Sequence, residues 1–290
     1  MKIILLSLSL FIGFTSFTQT VLGSLSNKLK EISGLVFVND TLLVGHNDGG
    51  NAAEIFFLDL SGKIIREVKI KNAKNKDWED IAFDGKDRLF IGDIGNNNND
   101  RTDLCIYEIS LKEALRSDSV NAKKFEFSYS NQHSFPPPPE DKHFDAEALC
   151  FFKDSLYIFT KCRTEPWDGN SYVFSLATNK NEQKAAFSNS LYVGKSGWWQ
   201  DAITGVDIQG SYCYLLTYNR LMVYKIVKDE LFFDHRIYLK PITQKESIAV
   251  NSKGQMVVAD EKQTALGGGY LYEVPAYVPV KKTKAKHKKP

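Results

Sequence analysis

Residues of the kinds that hold hard cations or move protons stand at the head of a phrase repeated five times. Ser33 (or Glu31, two places earlier), Glu79, Glu147, Thr204 and Glu246 lie in the apolar runs EISGLVF, EDIAF, EALCFF, TGVDI and ESIAV. After a turn, each run is followed by a second that ends in polar residues. These are His46-Asn47-Asp48, Asp93 with Asn96, Lys161 with Arg163, Tyr218-Asn219-Arg220, and Asp260-Glu261. If the runs are equivalent strands about one axis, both polar series converge on a single mouth. Carboxylates aimed at one axis repel, so such a ring needs a cation, protonation or basic side chains. Its carboxylate and hydroxyl oxygens suit Ca²⁺, which accepts about six to eight oxygens in flexible geometry. The histidines His46, His133, His143, His235 and His287 stand in no HExxH or close-paired spacing, and no cysteine pair has CxxC spacing, which argues against zinc or iron. His46 is the histidine with a plausible place at the mouth. The competing reading makes each glutamate a clasp, bonded to backbone N–H groups of the next repeat. Both readings stay open at this point.

The elements that must position these residues follow the same repeat. The first copy continues through AEIFFLDL and KIIREVKI, the second through LCIYEI and KFEFSYS, the third through SYVFSL and a strand near Phe187 to Val193, and the fourth through RLMVYKI and FFDHRIYL. Several short strands per unit, repeated every 40 to 70 residues or so, predict an all-β chain folded as a β-propeller over residues 19–280. The fifth copy ends with GYLYEV before Pro275 and Pro279, which disfavour a ladder strand. Val21 to Leu29 precedes Glu31 as REVKIKNAKNKDW precedes Glu79. It is therefore expected to supply the outer strand of the last blade, closing the ring without open edges and favouring five blades over six. The insertion Gln132 to Phe144, with Pro136 to Pro139, predicts a stiff polyproline II-like connection overhanging the mouth. In GKSGWWQDAITG, one of Trp198 and Trp199 is expected to pack in a blade and the other to offer a stacking face.

Lys2 and the apolar run Ile3 to Phe17 read as a signal peptide over residues 1–18, shorter than the roughly 20 residues of a membrane span. No cysteine stands near the cleavage point, so a secreted or periplasmic protein without a lipid anchor is expected. The tail 281–290 holds six lysines; removing these and Lys2 from the formal +2 leaves a body near −5. A disordered tail, a monomer, no nucleic-acid partner and no integral membrane contact are expected. Cys105, Cys150 and Cys213 fall in apolar strand patterns and read as core residues, whereas Cys162 between Lys161 and Arg163 has a setting that lowers a thiol pKa. The chain has no GxGxxG or GxxxxGK[ST] loop, since Gly267 to Gly269 precedes a strand, and no GxSxG elbow.

The phrases EISGLVFVNDTLLVGHNDG, DWEDIAFDGKDRLFIGDIG, DAEALCFFKDSLYIFTKCR, ITGVDI and ESIAV resemble successive inner-strand motifs of the calcium-activated nucleotidase (apyrase) family. WEDIA with IGDIGNN also resembles secreted bacterial propellers, including phytase-like esterases. The nucleotidase resemblance, over most of residues 31–260, implies a secreted five-bladed propeller with Ca²⁺ held by Ser33, Glu79, Glu147, Thr204 and Glu246. The family's Asp-rich, Arg-containing N-terminal segment is missing between Gln19 and Lys30, and Gly49-Gly50 replace the arginine after Asp48. Lys161 and Arg163 remain for phosphate. The expected function is a Ca²⁺-dependent hydrolase of phosphorylated or other anionic small molecules. In it Lys161 and Arg163 neutralise the leaving charge and Asp93 or Asp48 accepts a proton from water. The rival is a non-catalytic binding or scaffold propeller.

Overall fold

The computed structural model describes residues 19–275, so the expected leader (1–18) and lysine-rich tail (281–290) lie outside the described residues. Among the described residues no helix is long and apolar enough to cross a membrane. Short alternating apolar runs broken by turn residues give strands throughout. After β1 (Thr20–Ser24) come β2 (Ile32–Asn39), β3 (Leu42–Asn47), β4 (Glu54–Leu58) and β5 (Ile64–Ile70). The second unit holds β6 (Trp78–Phe83), β7 (Arg88–Asp93), β8 (Cys105–Ser110), a short β9 (Ser119–Val120) and β10 (Lys123–Tyr129). The third holds β11 (Asp145–Phe152), β12 (Ser155–Lys161), β13 (Asn170–Ala177) and β14 (Glu182–Tyr192). The fourth holds β15 (Ile203–Gln209), β16 (Tyr212–Thr217), β17 (Arg220–Val227) and β18 (Glu230–Tyr238); β19 (Lys245–Val250), β20 (Met256–Asp260) and β21 (Tyr270–Val274) end the chain's strands.

Within each unit consecutive strands pair antiparallel, so the sheet orders are β2-β3-β4-β5, β15-β16-β17-β18 and β19-β20-β21, with β1 added beyond β21. Thr20 pairs with Glu273 and Ser24 with Tyr270. The expected closing strand is thus Thr20–Ser24, and Asn27–Leu29 forms a 3₁₀ turn that buries Leu29. The second and third units are not separate sheets. Parallel pairing of β10 with β14, Glu126 to Glu182 through Tyr129 to Ala185, joins them into eight strands, while β9 leaves its own unit to pair parallel with β5. Both additions cover outer edges that would otherwise be open.

The leading strands neighbour one another in a closed cycle, with β2 beside β6, β6 beside β11, β11 beside β15, β15 beside β19 and β19 beside β2. The apolar core follows these junctions. One cluster combines Val36 and Val44 with Trp78 and Ile81, the next Ala82 and Phe90 with Leu149 and Ile158. Others join Ala148 and Phe159 to Val206 and Leu215, Leu216 to Ile248 and Val258, and Leu271 and Val257 to Leu35 and Leu43. Both faces of each leading strand are therefore covered, which is why these strands read as nearly continuous apolar runs. Cys105, Cys150 and Cys213 lie in these clusters, and all four cysteines are unpaired, buried thiols.

Candidate functional site at the mouth of the leading strands

Each leading strand has a register irregularity at the predicted ring residue, and β2 has a second one between Phe37 and Asn39. In β2 the register passes from Ile32–Asn47 to Gly34–His46, leaving Ser33 extra. In β6 and β11 the skipped residues are Glu79 and Glu147. In β15 and β19 they are Thr204 and Glu246. A bulge of this kind inserts an unpaired residue and re-aims its side chain. The repeated bulge thus gives five residues, two hydroxyls and three carboxylates, the same placement. Glu31 lies apart from this register; its carboxylate takes the Asn51 amide at 2.6 Å and Lys30 at 3.0 Å.

The hydroxyls and the carboxylates do different things there. Ser33 donates to the Glu79 carbonyl at 2.6 Å, and Thr204 to the Lys245 carbonyl at 2.8 Å. Each hydroxyl ties its strand to the next and keeps lone pairs free. The carboxylate clasps expected of the glutamates are made instead by two aspartates deeper in the strands. Asp80 accepts from Leu149 N at 2.9 Å, and Asp207 from Val250 N at 2.7 Å.

Glu79 belongs to an acidic group. One carboxylate oxygen each of Asp48, Asp77 and Glu79 lies within 4.8 Å of the others. The loop after β3 brings in Asp48. The Asp48 carbonyl accepts from Asn75 Nδ2 at 2.8 Å, and the Asn75 Oδ1 receives Trp78 N at the start of β6. Glycine backbone presses against the group. A Cβ on Gly95 would collide with the Glu79 and Asp77 carboxylates, and one on Gly49 would stand 2.6 Å from Asp77 Oδ1. Neither glycine has the positive φ that demands the residue, so it is space that the carboxylates require. Arg101 fixes the second wall by donating to the Gly95 carbonyl and to Asp93, both at 2.7 Å.

Burial, then the neighbouring Glu147, Asp48 and Asp77, pushes the Glu79 pKa well up. Burial, then Asp48 and Asp145, raises Asp77 to about 6. Glu246 is raised by burial to about 7 against the pull of Lys161, and Glu261, by burial and then Glu246, to about 8. The charges weighing most on Glu79 are all acidic, whereas Glu147 has cations. Lys161 Nζ lies 2.8 Å from its Oε2 and Arg163 Nη2 3.6 Å from its Oε1. Burial alone would lower Lys161, but Glu147, Tyr218 and Glu246 outweigh it and hold the ammonium well above its ordinary value.

The structure brings Glu79, Glu147, Glu246, Asp48 and Lys161 into one electrostatic neighbourhood. Lys161 is buried, with its ammonium 5.4 Å over the Trp198 ring and 5.5 Å over Tyr218. Arg163 keeps part of its guanidinium exposed while Nε donates to Asp145 at 2.6 Å. Trp198 therefore packs, and Trp199 is 48% exposed. Asp93 is buried and bound by Arg101 and Asp77 N. His46 is fully buried, edge-on to Trp78, and lowered by burial to about 4. The Pro-rich insertion is pinned to the third unit by Arg163 N to Lys142 O and Glu165 N to Pro139 O, each 3.0 Å. Sequence reasoning passed over Asp77 and Arg101; the available signal was the glycine that closely follows Asp48 in NDGG and Asp93 in GDIG.

The chain superposes on the glutaminyl cyclase of Myxococcus xanthus over 90% of its own length and 97% of that chain, with a TM-score of 0.53 and 13% identity. It superposes on a luciferin-regenerating enzyme over 90% and 96%, with a TM-score of 0.50 and 11% identity. These solved structures are β-propellers. The chain is a β-propeller. At such identities the likeness speaks for the fold alone, and the units above are its blades. No protein-family profile and no curated protein matches the chain, so the nucleotidase resemblance of the inner-strand phrases has no family-level support.

Proposed function

We propose that this protein is a five-bladed propeller that binds Ca²⁺ at the bulged ends of its inner strands and there hydrolyses an anionic small molecule, a phosphoester or phosphoanhydride. The observation that carries this reading is the group Asp48, Asp77 and Glu79, its oxygens within 4.8 Å of one another and closed in by Gly49 and Gly95. The donors are all oxygens, as Ca²⁺ requires, with Ser33, Glu147, Thr204 and Glu246 as the further shell. The cyclic order of the inner strands and the bulge repeated at the ring residue of each support five blades. Bound Ca²⁺ would polarise a phosphoryl oxygen and offset developing charge. Arg163 is the better anion partner, because it keeps part of its guanidinium exposed whereas Lys161 is buried against Glu147. Asp48 is the better proton acceptor, because Asp93 is bound to Arg101. The leader-like residues 1–18 support export, and the monomeric state is part of the same proposal.

A scaffold propeller is favoured by one set of contacts: the Ser33 and Thr204 hydroxyls tie neighbouring blades, and the Lys161–Glu147 pair ties two strands of the third, with no ligand. Thermal melts and turnover separate the two. A ligand bound only by the folded state at a hundredfold excess over Kd adds about 2.7 kcal/mol. Ca²⁺ is expected to raise the melting temperature, and Glu79→Gln and Gly95→Ala to abolish the rise. Phosphomonoesters and nucleoside di- and triphosphates, screened with Ca²⁺, Mg²⁺ or EDTA, should show Ca²⁺-dependent release of phosphate. A Ca²⁺ shift without turnover would leave the scaffold; melting indifferent to Ca²⁺ and EDTA would remove the cation.

A further inference from the structure

Away from the acidic group, an imidazole, a thiol and a carboxylate meet on the third blade. One donor atom each of His143, Cys162 and Asp168 lies within 4.8 Å of the others. The fold assembles them from three places. His143 ends the Pro-rich insertion just before β11, Cys162 directly follows β12, and Asp168 lies in the loop entering β13. Antiparallel pairing of β12 with both neighbours brings these ends to one rim. Their spacing along the chain matches no metal motif, which is why the histidines and cysteines predicted no such site.

Asp168 is the centre of the group. Its Oδ2 lies 3.2 Å from His143 Nε2, and its Oδ1 lies 3.2 Å from Cys162 Sγ. Asn170 holds both oxygens, through its backbone N at 2.8 Å and Nδ2 at 3.0 Å, and Thr164 Oγ1 lies 3.2 Å from the sulfur. The His143 ring is stacked on Tyr172 at 4.0 Å and 15°. Carboxylate partners and packing of this kind fix metal ligands in orientation.

The order of contacts disfavours a nucleophilic triad. The thiol meets the carboxylate rather than the imidazole, so it lacks the cysteine–histidine contact that activates such nucleophiles. Cys162 is also 3% exposed. Metal bonds of about 2.0 to 2.3 Å in a tetrahedron set donor–donor edges of roughly 3.3 to 3.8 Å, and one donor atom of each residue already lies within 4.8 Å of the others. A mixed sulfur, nitrogen and oxygen set suits a borderline-soft cation and not Ca²⁺.

We propose that His143, Cys162 and Asp168 form a Zn²⁺ site with an open fourth position on the rim of the third blade. Three protein ligands with one exchangeable position is the arrangement of reactive rather than closed structural zinc centres. The Asp168 side chain, 38% exposed, marks the way in. The site shares no residue with the Asp48, Asp77 and Glu79 group, so it stands independently of the Ca²⁺ reading.

The test uses the full chain, stripped with chelator and titrated with Co²⁺ and then Zn²⁺ in excess Ca²⁺. Co²⁺ is expected to give a near-ultraviolet thiolate-to-cobalt charge-transfer band that Zn²⁺ abolishes at one equivalent. Cys162→Ser should remove the band, Asp168→Asn should weaken Zn²⁺ binding about tenfold or more, and Glu79→Gln should leave the band in place. No band in the wild-type chain, or a band that survives Cys162→Ser, overturns the proposal. The wild-type spectrum needs no variant, and Asp168→Asn alters a partly exposed side chain, so neither readout depends on Cys162→Ser folding.

Discussion

Lys161 and Glu147 are two residues whose chemistry is set by each other before any ligand arrives. Removing one partner of a buried pair strands the other charge and costs about 3 to 5 kcal/mol. Lys161→Met and Glu147→Gln are each expected to lower stability by an amount of that order, measured by denaturant unfolding. The double variant should recover much of it. If the single Lys161→Met costs no more than a surface change, the ammonium is not paired and is free to meet substrate. Read along the chain, Lys161 beside Arg163 looked like an anion patch, because sequence does not show that the bulge at Glu147 delivers a carboxylate to the ammonium. The ring residues themselves were legible, because each stands at a fixed phase of a buried strand. Asp77 was not, since its place depends on how closely the Gly49 and Gly95 backbones approach. His143, Cys162 and Asp168 were not, since only the pairing of β11, β12 and β13 makes them neighbours.

Among the elements, β1 meets its neighbour at a close backbone approach. A Cβ on Gly23 would run into the Ser61 carbonyl in the turn between β4 and β5, so the sheet of the last blade rests directly on the first. Overpacking of this sort costs about 1 to 3 kcal/mol. Gly23→Ala is expected to destabilise the fold by that amount and to speed hydrogen exchange at Leu271 and Tyr272, the strand facing β1. Protection unchanged at those amides would mean that the closing strand contributes little. The unit strands were readable from alternation and turn residues. The extra pairings of β9 with β5 and β10 with β14 were not, because parallel contacts between outer edges follow from the placement of whole blades and leave no local pattern.

For the whole molecule, the raised carboxylates make a pH dependence with a definite sign. Asp77, Glu246, Asp207 and Glu261 hold protons to about 6, 7, 7 and 8 in the fold, each raised first by burial from 3.8 or 4.5. The folded state binds these protons more tightly than the unfolded chain. Their contribution is therefore full below about pH 4 and is lost as pH rises toward 8. In EDTA the melting temperature should fall between about pH 5 and pH 8, and Ca²⁺, competing with protons for the oxygens of Asp77 and Glu246, should shrink the fall. A flat profile in EDTA would show these groups to be solvated. The pairing of Thr20 with Glu273 also dictates when the molecule can be finished. Contacts so distant in sequence are slow to form because a long chain must be closed first. On a growing chain Thr20–Ser24 must wait for Tyr270–Val274, so the sheet they share cannot be completed until both have been made. A chain stopped short of Tyr270 would leave β20 as an unprotected edge, a state prone to pair with other copies. The sheet is thus finished by two strands made far apart in time, and its outer edge stays open until they meet.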